Sequence, residues 1–204
     1  IFEAGSLTLV TALYLLSRYS EWRQKPNSSY TYHGHALRMA VSLGLHKELS
    51  PTVKDISIKE QRRRIWSCLY SHEYHLSLMQ GRPLQYIISN EDMSTSLPSS
   101  MDENELWTTN PSMYLGCIER ARLLKVFHEL WYGCDRASRS SPTKCIKLCE
   151  ALDAAFKRMP KFLQTDISPS ALSHFLQENP WLPFMRYYLR WKHLWLVIYA
   201  LRHL

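Results

Sequence analysis

SIKEQRRRIWSCLYSHEYHLSLMQGRP, residues 57–83, is the stretch on which the fold turns. Ser57 followed three residues later by Glu60 reads as a capping box, in which a hydroxyl and a carboxylate each satisfy an exposed N-terminal amide. From Ile58 onward the apolar residues Ile65, Trp66, Leu69, Tyr70, Leu76 and Met79 keep a helical period until Gly81 and Pro83 stop it. About 23 residues at 1.5 Å each make a rod of roughly 35 Å, long enough to cross a domain. Lys59, Arg62 and Arg63 fall opposite this stripe, and Arg64 stands four residues after Glu60 in the order that favours an ion pair of about 0.2–0.5 kcal/mol. Glu73 stands among Leu69, Tyr70 and Leu76, where an unpaired carboxylate costs several kcal/mol. Either Arg82 partners it or it sits at the wet edge of the stripe.

Outward from this rod the chain reads as more helix. Leu9, Val10, Leu13, Tyr14 and Leu16 mark a helix over residues 6–19; after a turn at Pro26–Ser29, Ala36, Leu37, Met39, Ala40 and Leu43 mark a second. Gly44 ends it, since glycine enters the left-handed C′ conformation without Cβ strain. Residues 84–112, with Pro98, Pro111 and the acids Asp102, Glu103 and Glu105, read as a long surface loop. A helix is expected from Met113 to Trp131, with Ile118, Ala121, Leu124 and Phe127 buried, and then a polar connection over residues 136–141. Ser141–Pro142 opens the next helix, which Pro160 closes, and Ser168–Pro169 opens a short one reaching Glu178. From Pro183 to the end, Leu189, Trp191, Leu194, Trp195, Val197, Ile198 and Leu201 occupy several faces of one helix, which predicts burial on most sides. No segment alternates as a strand and no repeat period is present. The expectation is an all-α, multi-helix domain: one body over residues 1–204 with a long central helix, belonging to a longer protein and truncated at both ends.

Composition narrows the function. With 204 residues, 46% hydrophobic, 21% charged and 6 Gly, the chain is neither collagenous nor a long disordered tail. Its net charge of +7 raises the question of nucleic acid. Most of the excess lies over residues 157–204, interleaved with Trp181, Trp191 and Trp195, a spacing that suits burial better than phosphate reading. Five Cys without a C-x-x-C pair spell neither a disulfide framework nor a zinc site, and Cys145 and Cys149 share one helix face as small hydrophobes. No run of apolar residues is long enough to span a membrane. His72, Glu73 and His75 miss the H-E-x-x-H metal spacing by one residue, and His33 and His35 read as surface or hydrogen-bonded residues. There is no P-loop, no G-x-G-x-x-G and no G-x-S-x-G, so phosphate cradling and serine hydrolysis lack their backbone devices. No catalytic or metal-ligating residue is assigned, and no enzyme activity is expected.

Taken together, ALRMAVSLGLHKE (36–48), EQRRRIW (60–66), Gly81–Arg82–Pro83 and Leu97–Pro98 resemble the central regulatory domain, or middle homology region, of fungal zinc-cluster transcription factors. The pattern places Gly44, Ser57, Glu60, Arg62, Arg63, Arg64, Trp66, Glu73, Gly81, Arg82 and Pro83 as the motif's structural residues. LLSRYSEWRQK (15–25), KFLQTDIS (161–168) and NPWL (179–182) are similar to members that activate galactose-type carbon-source genes in budding yeasts. The resemblance implies a nuclear, homodimeric activator whose zinc cluster, N-terminal to this segment, reads DNA. This segment itself then holds no cofactor and no DNA-binding residue, and would contact transcriptional regulators and coactivators. Arg62 and Arg63 with Asp102, Glu103 and Glu105 form the expected regulatory surface. A different class, a helical receptor for a small molecule lined by aromatics such as Trp66, Tyr70 and Trp195, fits the same aromatics.

Overall fold

In a computed structural model the described residues are 5–84, 93–99, 112, 114–132 and 141–202. Among them are seven α-helices, two short 3-10 turns and no strand, an all-α architecture. The helices are α1 (Leu7–Trp22), α2 (Pro26–Ser42), α3 (Ile56–Gln80), α4 (Leu115–Tyr132), α5 (Pro142–Lys157), α6 (Ser173–Glu178) and α7 (Leu182–Leu201). Where one body is expected, the chain divides into two compact units, Ile1–Ser99 and Ser100–Leu204.

In the first unit α1 packs chiefly on α2, and α3 packs on both. Ser6 caps α1 by accepting from the Leu9 amide. The core joins Val10 and Leu13 of α1, Ala36, Leu37, Met39 and Ala40 of α2, Leu45, and Trp66 and Leu69 of α3. Burying such side chains contributes about 1.5–3 kcal/mol each, which makes the amphipathic stripes the main source of stability. Gly44 takes φ +71° and lets the Leu45 amide close back on the Ala40 carbonyl, so the chain leaves α2 in a tight left-handed stop.

The central helix is confirmed at 25 residues, but its start differs from the expected capping box. Asp55 is the N-cap, its carboxylate accepting from the Ile58 amide at 3.1 Å. Ser57 already lies inside the helix and Glu60 is buried, so the pair is not a box. The negative Asp55 side chain answers both the free amides and the positive helix end, and Glu60 is drawn inward by partners described below. Gly81, at φ +63°, ends α3 as expected. Met79, expected on the buried stripe, is 59% exposed.

In the second unit α4 and α5 pack against α7 around Ile118, Leu123, Phe127, Leu148, Leu152, Phe156, Leu189 and Leu196. Gly116 permits a close approach: a Cβ there would sit 2.0 Å from Met185 Sδ on α7. The buried Arg186 guanidinium donates to the Gln164 carbonyl at 2.6 Å and to that of Ile167 at 2.5 Å, tying α7 to the turn after α5. Ser141 stands at the N-cap of α5 but makes no side-chain cap bond, leaving Pro142 as the start signal. Cys145 is buried, and burial first, then Cys145 and the acids Asp153 and Glu150, push the half-buried Cys149 thiol up. The expectation for α7 is corrected. Leu182, Arg186, Leu189, His193, Leu196 and Ala200 are buried on one face, whereas Trp191, Leu194, Ile198 and Leu201 stand on the other, exposed.

Candidate functional site: the arginine joint of the first unit

The arginine triplet falls on the first half of α3, one turn above the buried Trp66, and each guanidinium finds a different acceptor within its own unit. Arg62 donates to the Leu43 carbonyl, at the end of α2, at 2.9 Å. Arg63 grips Glu48 in a fork, with Nη2 2.8 Å from Oε1 and Nε 3.1 Å from Oε2. Arg64 donates to Glu60 at 2.9 Å, the i,i+4 pair expected from the sequence. Burial pushes the Glu48 carboxyl up, but the Arg63 and Ser96 hydrogen bonds and the Arg63 charge outweigh it and hold the group below its ordinary value. Arg63 is held above its own, chiefly by the hydrogen bond to Glu48.

The same two carboxylates catch the described part of the 84–112 segment. Glu60, only 3% exposed, accepts from the Ser99 amide at 2.9 Å and hydroxyl at 2.8 Å. Glu48 accepts from the Ser96 amide at 3.0 Å, while its own amide donates to the Ser94 hydroxyl at 3.1 Å. The Thr95 hydroxyl donates to the Leu45 carbonyl at 2.7 Å, and the Ser94 and Thr95 amides reach the His46 carbonyl at 3.2 and 3.3 Å. Residues 93–99 are therefore a strap bonded across the α2–α3 connection rather than an open loop.

Two residues of the expected regulatory surface fall at this joint. Arg62 and Arg63 are half-buried and engaged by Leu43 and Glu48, so they do not form a solvated basic face. Asp102, Glu103 and Glu105 lie outside the described residues.

Below the joint lies a second polar group. Glu73 Oε2 stands 3.2 Å from His33 Nε2 of α2, with both side chains buried. Arg82, the expected partner, instead lies over the Tyr30 ring at 4.6 Å and bonds Asn27. The reason is distance: nine residues of helix separate Glu73 from Arg82 by about 13 Å, and Gly81 turns the chain away. The His33 and His72 rings meet edge-on at 4.8 Å, and His72 Nε2 lies 3.0 Å from Ser17 Oγ, which donates to the Ser29 carbonyl at 2.8 Å. His75 reaches Glu21 at 2.6 Å. The three helices are thus joined by polar contacts at a depth where an unpartnered group would cost about 1–3 kcal/mol. His72 and His75 serve different partners, and among the described residues no group of three or more His, Cys, Asp or Glu could hold a metal ion.

Of the aromatics considered for a small-molecule site, Trp66 is core and Tyr70 bonds Tyr74, both in the first unit, while Trp195 belongs to the second. Residues missed by sequence reasoning are Asp55, Glu48, His33 and the strap. Asp55 carried a local signal, three residues before Ile58. The others carried none, since their partners lie 15 to 50 residues away.

The class of protein this defines is a helical scaffold whose motif residues close on one another. Residues 1–185 match the family model described as the fungal specific transcription factor domain, and the chain belongs to that family. It is 27% identical over 192 residues, 94% of its length, to the Lactose regulatory protein of Kluyveromyces lactis. It is 34% identical over 53% of its length to the Pyrimidine pathway regulatory protein 1, and 31% over 51% to the Activator of stress genes 1, both of Saccharomyces cerevisiae. The chain spans 21% of the first of these relatives and 11% of each of the other two. No solved structure matches it. The family and these relatives are transcription regulators, as the motif resemblance implies.

Proposed function

We propose that the chain is the regulatory domain of a nuclear, sequence-specific activator of carbon-source genes of the galactose type. The parent would be a homodimer that binds DNA through a zinc cluster N-terminal to this segment, and the domain would act through transcriptional regulators and coactivators. The observation that carries this reading is the likeness to the Lactose regulatory protein, which runs through 94% of the chain, where the pyrimidine and stress regulators align over about half. In mechanical terms the joint supplies stiffness. The forked Arg63–Glu48 pair and the buried Glu60 hold α2, α3 and the strap at one angle, so a contact made at one end of α3 is carried along a rod of 25 residues.

The test is a chimera. This segment replaces the matching one of the Lactose regulatory protein, and growth on lactose and a lactose-responsive reporter are measured in Kluyveromyces lactis. Retained induction is expected. A stable chimera that stays uninduced, while the same segment placed in the Pyrimidine pathway regulatory protein 1 restores regulation there, would refute the carbon-source assignment.

A further inference from the structure

The stretch LLSRYSEWRQK (15–25) folds inside out. Its small polar residues Ser17 and Ser20 are buried, Ser17 donating to the Ser29 carbonyl of α2 at 2.8 Å, while Leu15, Leu16, Tyr19 and Trp22 are 45–78% exposed. Ala12, Leu15, Tyr19 and Trp22 recur along α1 at steps of three, four and three, the spacing of a coiled-coil seam, with Leu16 on its flank. Val10, Leu13 and Ser17 fill the opposite side, so packing within the unit does not use the seam. Single exposed apolar residues need no explanation, but a contiguous set on one face does.

We infer that this face pairs with α1 of a second copy of the chain, the two helices antiparallel. Size sets the direction. An antiparallel pair centred on residue 17 puts Trp22 against Ala12 of the second copy and Tyr19 against its Leu15, so each layer joins one aromatic to one smaller side chain. A parallel pair stacks Trp22 on Trp22 and leaves Ala12 facing Ala12, crowded at one end and empty at the other. Charge agrees. The seam itself is uncharged, Arg18 beside it is neutralised by Glu21 at 2.7 Å, and Arg23 and Lys25 are exposed beyond the end of α1. With Arg23 six residues from the centre at 1.5 Å each, its two copies stand about 18 Å apart in the antiparallel pair, beyond the Debye length of about 8 Å at physiological salt, whereas parallel helices bring them side by side. A charged partner finds no charge along the seam to read; a second copy finds its own sizes in reverse order. Covering the four exposed side chains removes on the order of 600 Å² from each copy, about 1,200 Å² in all, the lower end of specific interfaces, which predicts a Kd on the order of 10 μM. This pairing gives the homodimer proposed above a contact surface and rests on that part of the reading alone; the chimera tests the gene assignment, so the two fail separately.

Sedimentation equilibrium of the chain reads the association, and circular dichroism checks the fold of each variant. Tyr19→Glu, at an exposed position, should weaken the dimer at least about tenfold. Trp22→Ala and Ala12→Trp should each weaken it too, the first by emptying a layer and the second by crowding it, whereas the double variant, with the two sizes exchanged, should return to within about threefold of the natural chain. A merely sticky face would instead associate more tightly with Ala12→Trp. For the direction, p-benzoylphenylalanine replaces Tyr19 in an isotopically labelled copy mixed with unlabelled chain, and irradiation should crosslink it to residues 12–16 of the unlabelled copy by mass spectrometry. A chain that stays monomeric at about 100 μM overturns the inference. So does a dimer that survives Tyr19→Glu, a folded double variant no tighter than the single ones, or a crosslink to residue 19 or 22 of the other copy.

Discussion

Replacing Glu60 by Ala separates two accounts of the start of α3. As part of a capping box, Glu60 would be a first-turn surface residue whose loss costs about 1 kcal/mol or less. In the structure it is 3% exposed and receives Arg64 at 2.9 Å, the Ser99 amide at 2.9 Å and the Ser99 hydroxyl at 2.8 Å, with Arg63 at 3.8 Å. Removing one member of a buried charged pair costs about 3–5 kcal/mol, since the other member is left unpaired. Arg64, 23% exposed, can turn toward water, so the low end, about 3 kcal/mol, applies. Glu60→Gln keeps an acceptor for Ser99 and loses the charge, so about half that loss is expected. As controls, Asp55→Ala should cost about 1 kcal/mol as the true cap, and Ser57→Ala less than about 0.5 kcal/mol. Urea unfolding followed by circular dichroism measures all four. Hydrogen exchange adds a local readout, in which Glu60→Ala accelerates the Ser99 amide. A Glu60→Ala loss no larger than that of Asp55→Ala, together with an equal loss in Ser57→Ala, would refute the buried joint and restore the capping box.

The Arg63–Glu48 fork makes stability depend on acid. Glu48 is held below its ordinary value in the folded chain, so its contribution is complete above the unfolded pKa of about 4.3 and disappears as pH falls through the lower folded value. The stability difference between the natural chain and Glu48→Gln, measured by urea titration at several pH values, should be constant from neutrality to about pH 5 and shrink below about 4.3. A double-mutant cycle of His33→Ala and Glu73→Ala should give single losses of about 3 kcal/mol that fail to add by at least about 1 kcal/mol, whereas Arg82→Ala costs under about 1 kcal/mol. Gly116→Ala, which places a Cβ 2.0 Å from Met185 Sδ and 2.7 Å from its Cγ, should lower thermal stability by about 1–3 kcal/mol, and adding Met185→Ala should recover part of it.

What residues 57–83 determined alone was the existence of the rod, because a helix writes its buried face into every third or fourth residue and its end into Gly81. The same local signals marked α1, α2, α4 and α5 and excluded strands. The i,i+4 pair of Glu60 and Arg64 was legible for the same reason, as both ends lie on one turn. Tertiary structure alone decided which acid each remaining arginine meets. Arg63 and Glu48 are 15 residues apart, Glu60 and Ser99 are 39, and His33 and Glu73 lie on different helices, so no periodicity connects them. It also decided that Asp55 rather than Ser57 caps α3, two residues of equal capping aptitude that differ in where they leave Glu60. For α7 the sequence set how many faces are apolar, but which of them the first available neighbours cover depends on where α4 and α5 land. Chemical character is written residue by residue along the chain, whereas burial belongs to the packed arrangement.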